Sequence, residues 1–379
     1  MMRNKRKITV LHVIDSLPRE GAEMVVYDLI QRGDREKFRF LVCALTRGGG
    51  VADMLRAIGV PVFVLGRRSP FDLKSFRRLL GIIRDNRVRI IHTHLFSSHL
   101  WGWAGAVLCP RCLLFRTEHN MSEWKNAPRR LLDYILAFRT DQVIAVSEPV
   151  RRSLVSRCGI PARKVRVVAN GLNLERLRKV ADPAGKLAGL GVLPGHRVVA
   201  TAAALTPKKG HRYLLEAAEK ILGHRQDVYF LLLGEGELRG ELGETIRARG
   251  LDGRVFLLGS RPDAAEIVGL SDVFVLSSIR EGLSIALLEA MALKRAVVAT
   301  AVGGSSGLVR DGFSGLLVPP RDGSALAQAI ERVLDDRDFA DRLGRTAQNE
   351  VAAGYDIGAM VGAYQRLYRA AEKTRRKKE

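Results

Sequence analysis

The chain has 379 residues, 47% of them hydrophobic and 27% charged, which is ordinary globular usage and enough length for two domains with separate cores. Four cysteines, Cys43, Cys109, Cys112 and Cys158, exclude a disulfide scaffold in a chain this long and point to a reducing, cytoplasmic setting. The formal net charge of +22 lies mostly in the first half, where residues 1–180 hold 34 Lys and Arg against 15 Asp and Glu while the remainder holds 28 against 25; an anionic partner, a membrane surface or a polyphosphate, is expected there. Nucleic acid is set aside, because no helix-turn-helix, zinc-finger or aromatic RNP signature accompanies the charge.

The start, MMRNKRKITVLHVID, sets basic residues before a short apolar run that ends at Asp15 without a small-residue cleavage site, so it is read as a first strand and not a signal peptide. Further β-branched apolar runs follow: FRFLVCAL, VPVFVLG, RIIHTH, LLFRTEH, DQVIAVS and VRVVANG in the first half, then RVVATAAAL, DVYFLLLG, RVFLLGS, DVFVLSS, AVVAT and GLLVPP in the second. Their hydrophobicity is continuous, as strands buried on both faces require. Helical stretches alternate with them, so the expected fold is α/β with two doubly wound, Rossmann-like parallel sheets. Between the halves strand patterning lapses and Gly and Pro accumulate, which places a linker near 175–195. The domains are therefore expected at 1–176 and 177–355, with 356–379 forming a helix that carries Tyr364, Leu367 and Tyr368 on one side, packs back on the first domain and ends in a basic tail. Residues 95–109 are too short and too polar to span a membrane.

Ligands of doubly wound sheets bind beyond the carboxyl ends of the strands, so candidate residues should lie just after strands. Gly21 follows the first strand at a helix start, where a missing side chain lets backbone approach a ligand. Lys208 and Lys209 follow a strand and precede a helix whose amides can cradle an anion. Glu281 follows DVFVLSS and is expected to open a helix, with Glu289 eight positions on and about 80° round it at 100° per residue. Carboxylates only accept hydrogen bonds and suit vicinal hydroxyls better than phosphates. The HTH run (92–94) ends a strand and could contact substrate. CPRC (109–112) has CxxC spacing, and His92, His94, His99 and His119 could complete a zinc site, but no second pair has the spacing of a zinc module; two ordinary cysteines are expected.

The motifs GAE (21–23), RTEHN (116–120), AVSE (145–148), VANGLN (168–173), TPKKG (206–210), LLGEGEL (232–238), VFLLGS (255–260), Glu-x7-Glu (281–289) and GLLVPPRD (315–322) occur in this order over nearly the whole chain. Together they resemble the retaining glycosyltransferases of the GT-B fold, family 4 or group 1. The resemblance implies two Rossmann-like domains facing across a cleft, the first binding acceptor and the second a nucleotide sugar, and transfer of a sugar with retention of anomeric configuration. It also implies a role for each matching residue: Glu289 on the ribose hydroxyls, Glu281 on the donor sugar with the backbone of Gly282 and Leu283 nearby, and Lys209 on the diphosphate with Lys208 beside it. Gly21 would reach the same phosphates, His119 would hold the sugar, Gly259 and Ser260 would line the base pocket, and Asn170 and Gly171 would form the hinge region. Lys209, Glu281 and His119 are the expected catalytic set, acting without metal or other cofactor.

Three positions depart from the family pattern: Glu20 stands for a second glycine, Ala204 for an arginine, and Gly307 for a glutamate. The arginine matters most, since Lys209 then meets the leaving group with one positive charge fewer. Alternatives are an epimerase or NAD-dependent enzyme, since GEGELRG (234–240) approaches a dinucleotide fingerprint but is off by one in its last glycine, and a catalytically weak nucleotide-sugar-binding protein. The expected acceptor is a glycan or glycolipid of the cell surface. The basic first domain is expected to rest on the cytoplasmic face of an anionic membrane, with Trp101, Trp103 and Trp124 at the surface.

Overall fold

The computed structural model describes residues 7–19, 21–121, 126–177 and 180–377. They divide into two compact units, one drawn from residues up to Gly171 and from Ile357 onward, the other Leu172–Asp356. In the first unit seven strands, β1 (Ile8–Ser16), β2 (Phe38–Arg47), β3 (Val62–Val64), β4 (Ile90–His94), β5 (Leu113–Glu118), β6 (Gln142–Ala145) and β7 (Val165–Val167), form a parallel sheet in the order β3-β2-β1-β4-β5-β6-β7. Every residue of β4 and β5 is buried, the polar His92, Thr93, His94, Arg116, Thr117 and Glu118 included. One cluster of this unit's core joins Leu11, Leu41, Ile91 and Leu114 from adjacent strands to Leu79 and Ile83 of the helix Leu73–Asp85.

The second unit holds β8 (Arg197–Ala202), β9 (Val228–Leu233), β10 (Val255–Gly259), β11 (Val273–Leu276), β12 (Ala296–Thr300) and β13 (Leu316–Val318), parallel in the order β10-β9-β8-β11-β12-β13. Its core runs from Val199, Phe230 and Val275 to Leu214, Ile330 and Leu343 of the covering helices. Both orders reverse once, at β1/β4 and at β8/β11. At such a point the crossover helices leave on opposite faces and the strand ends between them stay open. Part of the stretch expected as linker folds into this unit: Pro183–Ala188 is a helix capped by Asp182, and Lys186 pairs with Asp263 at 3.0 Å.

The last helix, Ile357–Arg376, belongs to the first unit. Tyr364 and Tyr368 are fully buried; the Tyr368 hydroxyl meets His92 Nδ1 at 2.5 Å, that of Tyr364 lies 3.2 Å from Thr117 Oγ1, and Glu372 pairs with Arg89 at 2.6 Å. Trp101 does not reach the surface. It is 7% exposed, edge-on to Phe76 with the Arg67 guanidinium 5.3 Å above its ring, and Trp103 packs half-buried against the same core. The helix Phe96–Leu108 buries Ser98, His99, Gly102 and Gly105 as well, so both indoles are drawn into the unit. Trp124 and Glu20 lie outside the described residues. No described helix is long and apolar enough to cross a membrane. The cysteines are free, and Cys112 is buried with its thiol toward Val88 O at 3.2 Å, burial pushing its pKa up to about 12.

A buried charge cluster pins one helix to this sheet. Arg116 of β5 pairs with Glu118 and, at 2.6 Å, with Asp133 of the helix Ala127–Arg139, all three essentially inaccessible to water. Burial opposes the arginine's charge, but the two carboxylates outweigh it and raise its pKa. Breaking a buried pair leaves an uncompensated charge. Asp133→Ala is therefore expected to cost about 3–5 kcal/mol, read as a lowered denaturant midpoint with an unchanged m-value.

Candidate functional site

In the second unit the open point between β8 and β11 collects charge. After β8 the chain makes a short turn, Pro207–Lys209, then takes a left-handed conformation at Gly210 (φ +66°) before the helix His211–Leu222. Glycine is required twice over, because a Cβ here would stand 2.2 Å from Ser277 O. After β11, Ser277 Oγ donates to Lys209 O at 3.0 Å and Ile279 N to Lys208 O at 2.8 Å, tying the two strand ends together. Lys209 Nζ then pairs with Glu281 Oε2, to which Ser278 Oγ also donates at 3.2 Å. The ammonium and carboxylate are 15% and 9% exposed, so each is the other's counter-ion in a partly dry setting.

Glu281 does not open a helix. The helix is Ile285–Ala292, capped by Ser284, whose hydroxyl accepts from Leu287 N at 3.3 Å. A serine able to satisfy an early amide starts the helix, which leaves Glu281 in the preceding turn and Glu289 in the helix's second turn; the 80° relation expected for one helix does not apply. Gly282 and Leu283 are buried beside Glu281. Gly304 N donates to Glu281 O at 3.2 Å, and a Cβ on Gly304 would come within 1.9 Å of Gly282 O. Two helix N-termini, those of His211–Leu222 and Ile285–Ala292, thus start beside one ion pair. Their dipoles and Lys209 favour an anion, while Glu281 offers an acceptor to hydroxyl groups.

His211, first in its helix, is 2% exposed. Burial, and then the charge of Lys209, lower its pKa to about 4. Gly259 ends β10 with φ +73° and accepts from Gly234 N at 2.8 Å; Ser260 beside it is exposed. Lys208 is exposed and Ala204 half-buried after β8.

In the first unit Gly21 starts the helix Gly21–Gln31 after β1. His119, just beyond β5, meets His94 Nδ1 through its Nε2 at 3.2 Å, and His94 Nε2 meets His12 Nδ1 at 3.0 Å. A neutral imidazole donates at one nitrogen and accepts at the other, so the three tautomers are coupled along this line. The His92 ring lies tilted 4.4 Å from that of His94, with Thr117 Oγ1 2.8 Å from its Nε2 and the Tyr368 hydroxyl at its Nδ1. Ring nitrogens of His12, His92 and His94 lie within 4.8 Å of one another, the cluster among the described residues that could hold a metal. Both nitrogens of His92 and both of His94 already have partners, however, and only His12 Nε2 is buried without one.

Each unit thus gathers its own group: Lys209, Glu281, Gly282 and Leu283 in the second, His119 with the HTH histidines in the first. Sequence reasoning missed Ser278, Gly304 and His12. The signal for His12 was there, a histidine inside the apolar run ITVLHVI, but nothing in the pattern distinguishes a ligand of other histidines from a solvated residue.

Two expectations follow. Gly304→Ala must displace the Glu281–Leu283 backbone and should destabilise by about 1–3 kcal/mol, whereas Gly307→Ala, with nothing within 4 Å of its Cβ position, should stay within about 0.5 kcal/mol of wild type; denaturant unfolding of both checks this. The histidines set a pH dependence. Burial lowers His12 to about 3 and His119 to about 4, and holds His92 and His94 well below the ordinary 6.5. They stay neutral when folded and protonate when unfolded, so their contribution is complete above pH 6.5 and is lost as the pH falls toward the folded values. Unfolding free energies measured at pH 7, 6 and 5 should therefore fall with each step, more steeply below pH 6; a flat profile would contradict the burial of neutral imidazoles.

Two family models match successive parts of the chain: glycosyl transferases group 1 over residues 190–350 and glycosyltransferase family 4 over residues 19–176. The chain is 26% identical over 384 residues to the UDP-Gal:alpha-D-GlcNAc-diphosphoundecaprenol alpha-1,3-galactosyltransferase of Escherichia coli, covering 97% of this chain and 98% of that one. It is 32% identical over 257 residues to the lipopolysaccharide core biosynthesis glycosyltransferase LpsE of Rhizobium meliloti, covering 66% and 73%. The Anabaena protein HepE, crystallised with UDP-glucose, superposes with a TM-score of 0.87 at 22% identity, over 96% of this chain and 100% of that one. With one model falling on each sheet and a relative above 30% identity matched over most of its length, the chain belongs to the group 1, family 4 glycosyltransferases of the GT-B fold.

Proposed function

We propose that the protein moves a hexosyl group from a nucleotide-sugar donor to a glycan or lipid-linked acceptor with retention of anomeric configuration, in the synthesis of a cell-surface polysaccharide or glycolipid. The observation that carries this reading is the Lys209–Glu281 pair at the open point of the second sheet, set beside two helix N-termini. Breaking a glycosyl–phosphate bond develops negative charge on the diphosphate, which calls for fixed positive charge and aligned amides at the leaving oxygen. Lys209 and the helix starts supply both. Glu281 accepts from the sugar hydroxyls, and Glu289 from the ribose. Gly259 and Ser260 border the base, Gly21 lets backbone approach the phosphates, Lys208 adds charge, and His119 holds the sugar.

The bond from the anomeric carbon to the diphosphate oxygen breaks as the acceptor oxygen bonds to the same face, and the acceptor's proton passes to the leaving diphosphate. Glu281 and Glu289 are therefore binders, unlike the acid and nucleophile of a retaining hydrolase. No metal is needed, since Lys209 and the helix starts meet the diphosphate. Relatives that act on a diphosphoundecaprenol-linked sugar and on lipopolysaccharide core, and a neighbour bound to UDP-glucose, support a UDP-sugar donor and a lipid-linked acceptor. The basic first half supports peripheral attachment to the cytoplasmic face of an anionic membrane. Ala204, where an arginine is usual, favours slow turnover as a second reading, with the chain acting mainly as a nucleotide-sugar binder.

A thermal-shift panel of UDP, GDP, ADP, their sugar conjugates and NAD tests the donor. At 100 times its dissociation constant a ligand stabilises by about 2.7 kcal/mol, several degrees for units of this size. One nucleotide sugar should shift wild type and lose that shift in Glu289→Ala. Lys209→Ala should lower the rate of nucleotide-diphosphate release roughly 10²–10³-fold. A shift with NAD alone would overturn the reading, and tight binding without release from any acceptor would favour the binder.

A further inference from the structure

The helix Ala127–Arg139 turns its apolar stripe outward. Leu131, Tyr134, Ile135 and Phe138, spaced i, i+3, i+4, i+7, are 61%, 41%, 47% and 68% exposed, while Asp133, Leu136 and Ala137 face the sheet. This orientation is enforced from both ends and from beneath. Asn126 accepts from Arg129 N at 3.2 Å to cap the start, and Lys164 Nζ donates to the carbonyls of Ala137 (2.6 Å), Phe138 (3.1 Å) and Thr140 (2.9 Å) to close the end. Asp133 is held by Arg116 below. Tyr134 and Phe138 stand edge to face, 5.1 Å apart. Val107 and Leu108, exposed as well, lie near the helix's end, where Arg139 donates to Ala106 O at 2.9 Å.

A contiguous exposed apolar surface on a rigid helix marks an interaction site. Its surroundings select the partner. Residues 126–167 carry nine Lys and Arg against three Asp and Glu, and Arg129, Arg152, Arg157, Arg163 and Arg166 are exposed. A second copy would bring two such basic faces together in a chain of net charge +22; an anionic lipid surface would not. We infer that the 131/134/135/138 face of this helix is the membrane-docking surface, its side chains entering the boundary between headgroups and acyl chains while the flanking arginines meet anionic headgroups. The inference rests on the peripheral attachment in the proposed function and names the surface that carries it.

Flotation of the full chain with vesicles of phosphatidylcholine alone and of equimolar phosphatidylcholine and phosphatidylglycerol tests it. Wild type and Phe138→Trp should float with the anionic vesicles and not with the neutral ones, and the double variant Leu131→Ser/Phe138→Ser should lose at least tenfold in partitioning. Both substituted side chains are exposed, so its melting temperature should match wild type. Its thermal shift with the nucleotide sugar should also be unchanged, a readout that reports on donor binding separately from docking. Flotation of the double variant equal to wild type, no flotation of any form, or a wild-type dimer in sedimentation velocity that the double variant dissolves would each overturn the inference.

Discussion

In a sheet of parallel strands every connection must cross a face, and where strands stop being added on one side and begin on the other, two crossover helices diverge and leave strand ends uncovered. The first sheet does this between β1 and β4, the second between β8 and β11. The ion pair of the second unit is placed by that constraint. Lys209 and Glu281 meet because one follows β8 and the other β11, and the close passage of the two strand ends at Gly210 and Ser277, with the segment after β12 pressed on Gly282 by Gly304, leaves no room for side chains that would hold them apart.

The two open points are equipped differently. The second has opposite charges paired in a partly dry setting near two helix starts, an arrangement in which an anionic ligand can replace the internal counter-ion. The first has imidazoles that burial keeps neutral, linked from His12 through His94 to His119 and backed by Tyr364 and Tyr368 of the last helix. The imidazoles form a neutral, buried hydrogen-bonded line, whereas the paired charges and helix starts of the second unit favour an anion. That division agrees with membership in a family that joins a charged donor to an acceptor.

Charge also orients the exterior. The pair between Arg116 and Asp133 is costly to bury and would be a poor source of net stability. Its effect is directional: by drawing Asp133 inward it turns the opposite face of the helix Ala127–Arg139, four large apolar side chains, toward solvent. A buried ion pair and an exposed greasy stripe are thus two sides of one decision.

The sequence by itself determined the sheets, because strands covered on both faces are apolar in the main and the thirteen expected segments are the thirteen strands among the described residues. It also placed Lys209 and Glu281 near strand ends, since each lies a few residues beyond its run. Only the tertiary structure decided the rest. Ser284, not Glu281, starts the helix, because capping depends on which hydroxyl reaches a free amide. Trp101 turned inward although aromatic residues near a basic half suggested a surface role. Most tellingly, APRRLLDYILAFR would pack as an amphipathic helix with Asp133 outward, since local periodicity contains no knowledge of Arg116 seventeen residues earlier. The partner that reverses it lies on another element, and contacts between elements are what a linear pattern does not carry.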